Sequence, residues 1–473
     1  MKNILILSIW LCSMLGYAQQ IQWANKLIKY SSDLGGKQYG IKRILGKPDA
    51  FPQAGNSPNA WATKNALDGR EILELGFEKP QTVKQIAVFE NLNAGCVVKI
   101  GVDTGSGKYE TVWTRKLNYK TPTFKASIPA DHRYYFKRKR RKIHEAPDVL
   151  NPGIEHAILE NAVSNVVAVR IELNFALLPG LKQIDAVGIS DSEQPITAQI
   201  NTNNIFESLQ QAVAVAFDGK EVSSVAIAQD GKQLFFTSND ETKDQVYSAI
   251  RESNGTWASP KHEPELSQNE NYNLVNFASS ALLLKGGNRY TKGSGETGFQ
   301  FYTVNNGNFL PGNLVKITAY NNYGETADAT ITADLKTIIL AVESDFTQGG
   351  TDFYFANQKD DGTYGLLQSM GKVINSADEE ITPQLLSDKK TLLFSSCGFS
   401  GYGSYDIYVS YRLDDTWKNW SEPMNLGAKI NSDTFDSAPF YDETTETLYY
   451  IKLVDGKWKL HAVKIPIRDL MKQ

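Results

Sequence analysis

Cysteine is scarce in this sequence, with three residues in 473. Cys12 lies in the N-terminal apolar run. Cys96 and Cys397 stand about 300 residues apart, which excludes a disulfide framework. They are expected as unpaired, buried small hydrophobes, with one bridge between domains as the alternative. Histidine is as thin. His132, His144, His156, His262 and His461 include no i, i+4 pair, and no cysteine pair supplies a zinc knuckle. Charge of one sign is missing overall: 49 Lys+Arg against 53 Asp+Glu give a formal net charge of −4, so there is no global footprint for nucleic acid. After the N-terminus no apolar stretch is long enough for a membrane helix. No glycine-rich phosphate loop precedes a helix, and Gly293-Ser-Gly295 reads as a surface turn. Ser400, in Gly398-Phe-Ser-Gly-Tyr402, lacks the second glycine of a nucleophile elbow.

Aromatics are plentiful: 22 Tyr, 21 Phe and 8 Trp. They fit pleated, half-buried surfaces and lean the composition toward sheet. With 41% hydrophobic and 22% charged residues the chain is a folded one. Met1 to Gln20 has Lys2, an apolar run from Ile4 to about Leu15, and a small residue, Ala18, at the exit. These are the parts of a secretory signal peptide over residues 1–18. Lipidation at Cys12 is disfavoured, because Ile9-Trp10-Leu11 lacks the small residues such processing wants. The expectation is an exported protein with no membrane anchor of its own.

A repeat organises the C-terminal half. DGKQLFFTS from Asp230, DLKTIILAV from Asp334, DKKTLLFSS from Asp388 and a weaker ETTETLYYI from Glu443 each precede a strand. Three of these pairings carry Asp-x-Tyr-like strands at Asp244, Asp352 and Asp406. The anchors Tyr247, Tyr302, Tyr354, Tyr408 and His461 are spaced 55, 52, 54 and 53 residues apart. The linkers match too: Ile374-Asn375-Ser376 and Ile430-Asn431-Ser432 precede Ile381-Thr382-Pro383 and Ser437-Ala438-Pro439. A unit of about 53 residues with four antiparallel strands is a propeller blade. Five copies are countable, and atypical sequence leaves room for a sixth. The last copy lacks its fourth strand, so Ala212 to Phe217 is expected to close the ring by pairing with it. Asp230, Asp334 and Asp388 recur at one place and read as turn residues.

Asp388-Lys-Lys-Thr-Leu-Leu-Phe-Ser-Ser, Gly401-Tyr-Gly-Ser-Tyr-Asp-Ile-Tyr408 and Asn425-Leu-Gly-Ala-Lys-Ile-Asn-Ser432 resemble the TolB-type, WD-like propeller repeats of bacterial envelope proteins. The resemblance covers about 205–467. Relatives often continue into a peptidoglycan-binding domain; no such sequence follows in this chain, which puts direct peptidoglycan anchoring in doubt.

Residues 19–190 show strands without that period: Glu71 to Phe77, Val83 to Phe89, Val97 to Val102, Thr111 to Trp113 and Val166 to Leu173, with one short helix near Tyr39 to Leu45. This argues a β-sandwich. Trp23-Ala24, Ile44-Leu-Gly-Lys-Pro-Asp49, Ala60-Trp61 and Val169-Arg-Ile-Glu-Leu173 resemble a discoidin-like, galactose-binding-like jelly roll. That resemblance implies ligand loops at one end, where Asp49, Trp61 and Asp68 fall; many such domains hold a structural calcium, and no other cofactor is expected. Turn formation and core packing are the alternative reading of the three. Residues 191–204 read as a linker and 468–473 as a tail. The fold class expected is all-β: a sandwich followed by a propeller.

From Arg133 to Lys142 the chain reads RYYFKRKRRK. Arg133, Lys137, Arg138, Lys139, Arg140, Arg141 and Lys142 form a local cationic run with Tyr134 and Tyr135 beside it. It is either a solvated loop or a contact for an anionic partner. The function expected is a non-enzymatic periplasmic scaffold docking on an outer-membrane β-barrel or secretion channel. The resemblance to Bacteroidetes-type envelope proteins extends this to type IX secretion, with a gate or plug role. The alternative is a glycan-binding or carbohydrate-active protein with its site in the propeller funnel or sandwich loops. Converging carboxylates and exposed Trp rings in the funnel would mark the alternative.

Overall fold

The computed structural model describes residues 19–64, 69–125, 151–217, 219–239, 243–269, 272–279, 281–305, 307–324 and 326–471. The signal segment, Asp68 and the cationic run Arg133–Lys142 lie outside the described residues.

The N-terminal unit is built on two long strands, Arg70–Glu90 and Gly153–Asn174. The sheet runs Ile21–Trp23, Ala186–Ser190, Arg70–Glu90, Gly153–Asn174, Val97–Asp103, Glu110–Thr114, with Lys26–Tyr30 also on Arg70–Glu90. The sequence reads Glu71–Phe77 and Val83–Phe89 as separate strands, because Lys79-Pro80 looks like a turn. The structure joins them. Register shifts between Gly76 and Gln85 absorb Pro80 where the ladder is interrupted, so its missing N–H leaves no bond unmade. Bulges also bend strands. The expected sandwich is therefore one continuous sheet folded over on itself. Leu73, Leu75 and Ile171 from one half share a core with Ile86, Val88 and Ile189 from the other. The expected helix near Tyr39 shrinks to a 3-10 turn, Ile41–Ile44, ahead of Gly46 at φ +107°.

Five four-stranded sheets follow. Blade 1 is Ser224–Ile227, Gln233–Asn239, Asp244–Ile250 and Lys261–His262. Blade 2 is Leu274–Ser279, Leu282–Gly286, Glu296–Asn305 and Asn308–Lys316. Blade 3 is Asp328–Ile331, Thr337–Val342, Asp352–Asn357 and Gln368–Ser369. Blade 4 is Glu380–Leu385, Thr391–Ser396, Asp406–Tyr411 and Met424–Asn425. Blade 5 takes Asp436–Asp442, Thr447–Val454 and Lys457–Lys464 from the chain end and Val213–Val215 from before blade 1. The ring thus closes as the sequence suggests, with Val213 opposite Ala462, Ala214 opposite His461 and Val215 opposite Leu460. Phe217 then stacks on Phe236 at 4.5 Å, joining blade 5 to blade 1. The repeated aromatics are core: Tyr354, Tyr405, Tyr408, Tyr441 and Tyr450 are all almost fully buried.

Two segments differ from their sequence reading. The polar stretch 191–204 is bound on both sides. Ile196 is buried and its N–H donates to Gln85 Oε1. Asn201 accepts from Asn425 N–H at 2.7 Å, and Thr202 Oγ1 donates to Asn425 O. The end of the chain is not a loose tail as far as it is described. Ile467–Leu470 forms a helical turn, and Leu470 is buried with its carbonyl accepting from Tyr411 Oη at 3.0 Å. One apolar side chain at the right spacing is enough to dock it.

Cys96 and Cys397 are both free thiols. Cys96 is buried, with its Sγ 2.9 Å from Glu90 Oε2; Cys397 is half-buried. Among the described residues no helix is long and apolar enough to cross a membrane.

Candidate interaction site

The first and third strands of a blade run the same way, so their starts share one face of the ring. On that face a buried carboxylate repeatedly caps the loop before it, four residues back. Asp352 accepts from Gln348 N–H at 2.8 Å, Glu380 from Ser376 at 2.9 Å, Asp406 from Tyr402 at 2.5 Å and Asp436 from Ser432 at 2.6 Å. All four side chains are buried. The linker asparagines add a second clamp. Asn375 accepts from Phe353 N–H and donates to Phe353 O; Asn431 does the same to Ile407. Each asparagine thus acts as a short strand partner that ties the third strand to the next blade. Burial pushes the Asp352 and Asp406 carboxyls up to about 7 and raises Asp436 above the usual carboxylate range.

The N-terminal unit sits on this face over blades 3 and 4. Asn59 Oδ1 accepts from Ala377 N–H at 2.8 Å, and Gln38 Nε2 donates to Ala377 O at 3.1 Å. Ser400 Oγ donates to Phe51 O at 2.6 Å, Gln53 Nε2 donates to Gly403 O, and Lys37 Nζ to Thr347 O. At the flank Lys47 meets Glu422 at 3.4 Å, an exposed pair of small weight. Arg43 Nε donates to Lys37 O at 2.8 Å; burial lowers its pKa, and the charges of Asp49, Glu380 and Asp352 act the other way.

Two of the three sandwich-loop residues singled out in the sequence are described, and both support this contact from within. Trp61 is 1% exposed, with its indole N–H on Ser32 O at 3.1 Å. Its strand pairs with Gln183–Ile184. The next residue, Asp185, accepts from the amides of Asp49, Ala50 and Phe51 at 3.3, 3.1 and 3.2 Å. Asp49 turns its carboxyl to Asp185; burial and that neighbour raise it well above the usual range, while burial brings Asp185 to about 6. Asp185 was not legible as a site residue. Its only sequence signal is an aspartate inside an apolar run, Ile184 to Val187.

The inner strands line the central channel with Ser224, Leu274, Asn276, Asp328, Thr382 and Gln384 among others, around a cavity of about 40 Å³. That is room for one water or so. The lining holds one carboxylate, Asp328, which accepts from Thr382 N–H at 2.9 Å, and no tryptophan. Thr382 and Ala438 stand at φ +50° and +49°, each before a proline. Bulges there turn the two N–H groups toward the neighbouring blade, Ala438 donating to Thr382 Oγ1. On the opposite face Asp230, Asp334 and Asp388 each accept the amide two residues on, the geometry of turn formers. Asp334 also pairs with Lys389 across blades at 2.7 Å, and Asp442 with Arg251 at 2.6 Å.

The cationic run lies within 126–150, whose described flanks meet at the junction. Phe124 N–H donates to Pro152 O at 2.9 Å, and the Phe124 ring lies 4.9 Å from Phe51. Among the described residues no group of three or more His, Cys, Asp or Glu is placed to hold a metal ion.

No family model and no curated protein matches the chain. Among solved structures it is similar to TolB from Acinetobacter baumannii, at 12% identity and a TM-score of 0.32, over 52% of this chain and 55% of that one. It therefore spans little more than half of that TolB. It is likewise similar to an alpha-L-arabinofuranosidase from Lactobacillus brevis, at 13% identity and a TM-score of 0.33, over 51% of this chain and 90% of that one.

Proposed function

We propose that this protein is a non-enzymatic scaffold of the cell envelope, exported to the periplasm, that docks on an outer-membrane β-barrel or secretion channel. The observation that carries the reading is the channel. Its cavity is only about 40 Å³, and among the described residues that line it Asp328 has no second carboxylate beside it to share a hydrolytic reaction. That weighs against a sugar-cleaving site in the funnel and leaves the outer surfaces for recognition. The partner contact we assign to Arg133, Tyr134, Tyr135 and Lys137–Lys142. Seven cations in ten residues suit an anionic surface, and aromatics beside them suit anchoring. Phe124, on the described flank before the run, packs on Phe51 at the domain junction. A role beside type IX secretion, as gate or plug, is the narrowest form of this reading.

The test uses the native full chain as bait on solubilised envelopes. A variant with Lys137–Lys142 replaced by glutamine should keep its thermal transition and recover at least tenfold less partner. Wild-type recovery should fall as salt rises. Recovery of no envelope protein, or equal recovery by both baits, would overturn the proposal. Elution by free sugar would instead support the glycan reading.

A further inference from the structure

The N-terminal unit rests against two segments of the propeller face. One is the linker into blade 4, where Ala377 meets Asn59 and Gln38. The other is the loop before the third strand of blade 4, where Ser400 donates to the Phe51 carbonyl. The repeat places an equivalent pair of segments one blade back. Tyr354 and Tyr408 are 54 residues apart, and the same step relates Tyr323 to Ala377 and Phe346 to Ser400. The two loops, 343–351 and 397–405, match in length and in their caps. Gln348 N–H donates to Asp352 as Tyr402 N–H does to Asp406.

The side chains at the two places differ. Ala377 is buried and Ser400 half-buried, whereas Tyr323 is 53% and Phe346 67% exposed. The backbone that carries these two rings is nonetheless fixed. Buried Asn322 accepts from Gly324 N–H and Glu343 N–H at 3.0 and 3.2 Å and donates to Thr326 O at 3.0 Å. Tyr323 N–H donates to Glu343 O at 2.7 Å, and its hydroxyl donates to Asp345 Oδ1. Gln348 Nε2 donates to Phe346 O at 3.1 Å, and Thr347 Oγ1 shares a hydrogen bond with Tyr354 Oη at 2.8 Å. Lys37 of the N-terminal unit donates to the carbonyls of Asp345 and Thr347, on either side of Phe346. This second place is therefore continuous with the interface already formed.

Single exposed apolar residues are ordinary on a protein surface. Two aromatic rings on hydrogen-bonded loops, at positions that make a protein contact one blade further on, are a stronger signal. Rings held in this way lose little freedom when a partner covers them, and aromatic anchors dominate protein contacts. Glu343 and Asp345 stand beside the rings, both exposed, and neither forms an ion pair among the described residues. Carboxylates next to ring faces suit a cation, which the ring quadrupole also attracts.

We propose that Tyr323 and Phe346, with Glu343 and Asp345 at their rim, form a second docking site, which takes a segment of a partner protein presenting arginine or lysine beside an apolar residue. The site goes beyond the scaffold reading. It lies on a different surface from the run Arg133–Lys142 and prefers the opposite charge.

A phage-displayed library of random dodecapeptides, selected on the full chain, tests this with no envelope partner present. Its failure is thereby separate from failure of the envelope pull-down. Enriched peptides should carry Arg or Lys next to Leu, Phe or Trp. Synthesised singly, they should bind about tenfold more weakly to Phe346→Ser, which installs the blade 4 residue, and to Tyr323→Ala. Glu343→Lys should weaken them too, and the Lys137–Lys142 glutamine variant should bind as wild type does. The Phe346 ring is largely exposed, so Phe346→Ser should keep the wild-type thermal transition. It decides if Tyr323→Ala proves less stable. No enrichment, enrichment of acidic peptides, or undiminished binding to Phe346→Ser would overturn the proposal. So would hexose binding that Phe346→Ser abolishes, which would make the rings a sugar platform.

Discussion

Replacing Asn431 with alanine is expected to destabilise the propeller by about 2–4 kcal/mol, a large effect for a single polar side chain. Asn431 accepts from Ile407 N–H at 2.8 Å, donates to Ile407 O at 3.0 Å and donates to Asn425 Oδ1 at 2.7 Å. It is buried, so water cannot replace these bonds. Alanine leaves the Ile407 amide without its partner at about 1–3 kcal/mol, and it removes one of two donors each from Ile407 O and Asn425 Oδ1, which keep Leu426 N–H and Gly427 N–H. Asn375→Ala should behave alike, because Phe353 is bracketed in the same way. Asn431→Asp should be worse than alanine. It loses the donor and adds charge near Asp406 and Asp436, which already share the site. Calorimetric unfolding would show the order. A shift under 1 kcal/mol for both alanine variants would mean that the asparagines merely occupy the linkers.

These asparagines mark the boundary of what the sequence reveals. Ile-Asn-Ser recurs visibly in the linkers, because each blade is built from contacts inside some 53 residues and its rules repeat at that period. Five copies were countable for the same reason, with a sixth left open until the structure showed five, and ring closure was legible: Ala212–Phe217 had no neighbour of its own, and the last copy lacked one strand. What escaped was long-range. Asp185 caps Asp49, Ala50 and Phe51 from more than 130 residues away. Asn59 reaches Ala377 over 318 residues. No periodicity announces such pairs. The folded single sheet of the N-terminal unit was hidden by Pro80, whose turn-like signal is overridden once the ladder breaks around it. Trp61 and Asp49 drew notice as loop residues, and their polarity and size turn out to serve the inside of the loop.

The junction and the closed ring are mechanically connected. The segment that leaves the N-terminal unit at Ser190 runs along blade 4 through Asn201 and Thr202. It buries Phe206 against blades 4 and 5 and only then enters blade 5 as its outer strand. A force on the N-terminal unit is therefore delivered to the seam of the ring. The contacts at Asn59 and Ser400 tie the unit to blades 3 and 4.

Ala214→Pro and Val215→Pro are expected to separate the contribution of that seam from side-chain packing. Val213 and Ala214 expose their side chains, so what holds this strand is its backbone ladder to Leu460, His461 and Ala462. Neighbouring residues in an antiparallel pair alternate between facing the partner with their N–H and facing away. One of the two prolines therefore deletes a ladder bond, at about 3 kcal/mol or more, while the other mainly restricts φ. The more damaging variant should lower the propeller's thermal midpoint by roughly 6–10 °C. It should also expose the 208–223 stretch to protease before any blade strand, because the outer strand detaches while Lys457–Lys464 stays paired to Thr447–Val454. The milder variant should sit near wild type in both assays. Equal, small shifts would show that Phe217 stacked on Phe236 and the core it enters close the ring, with the ladder a passenger.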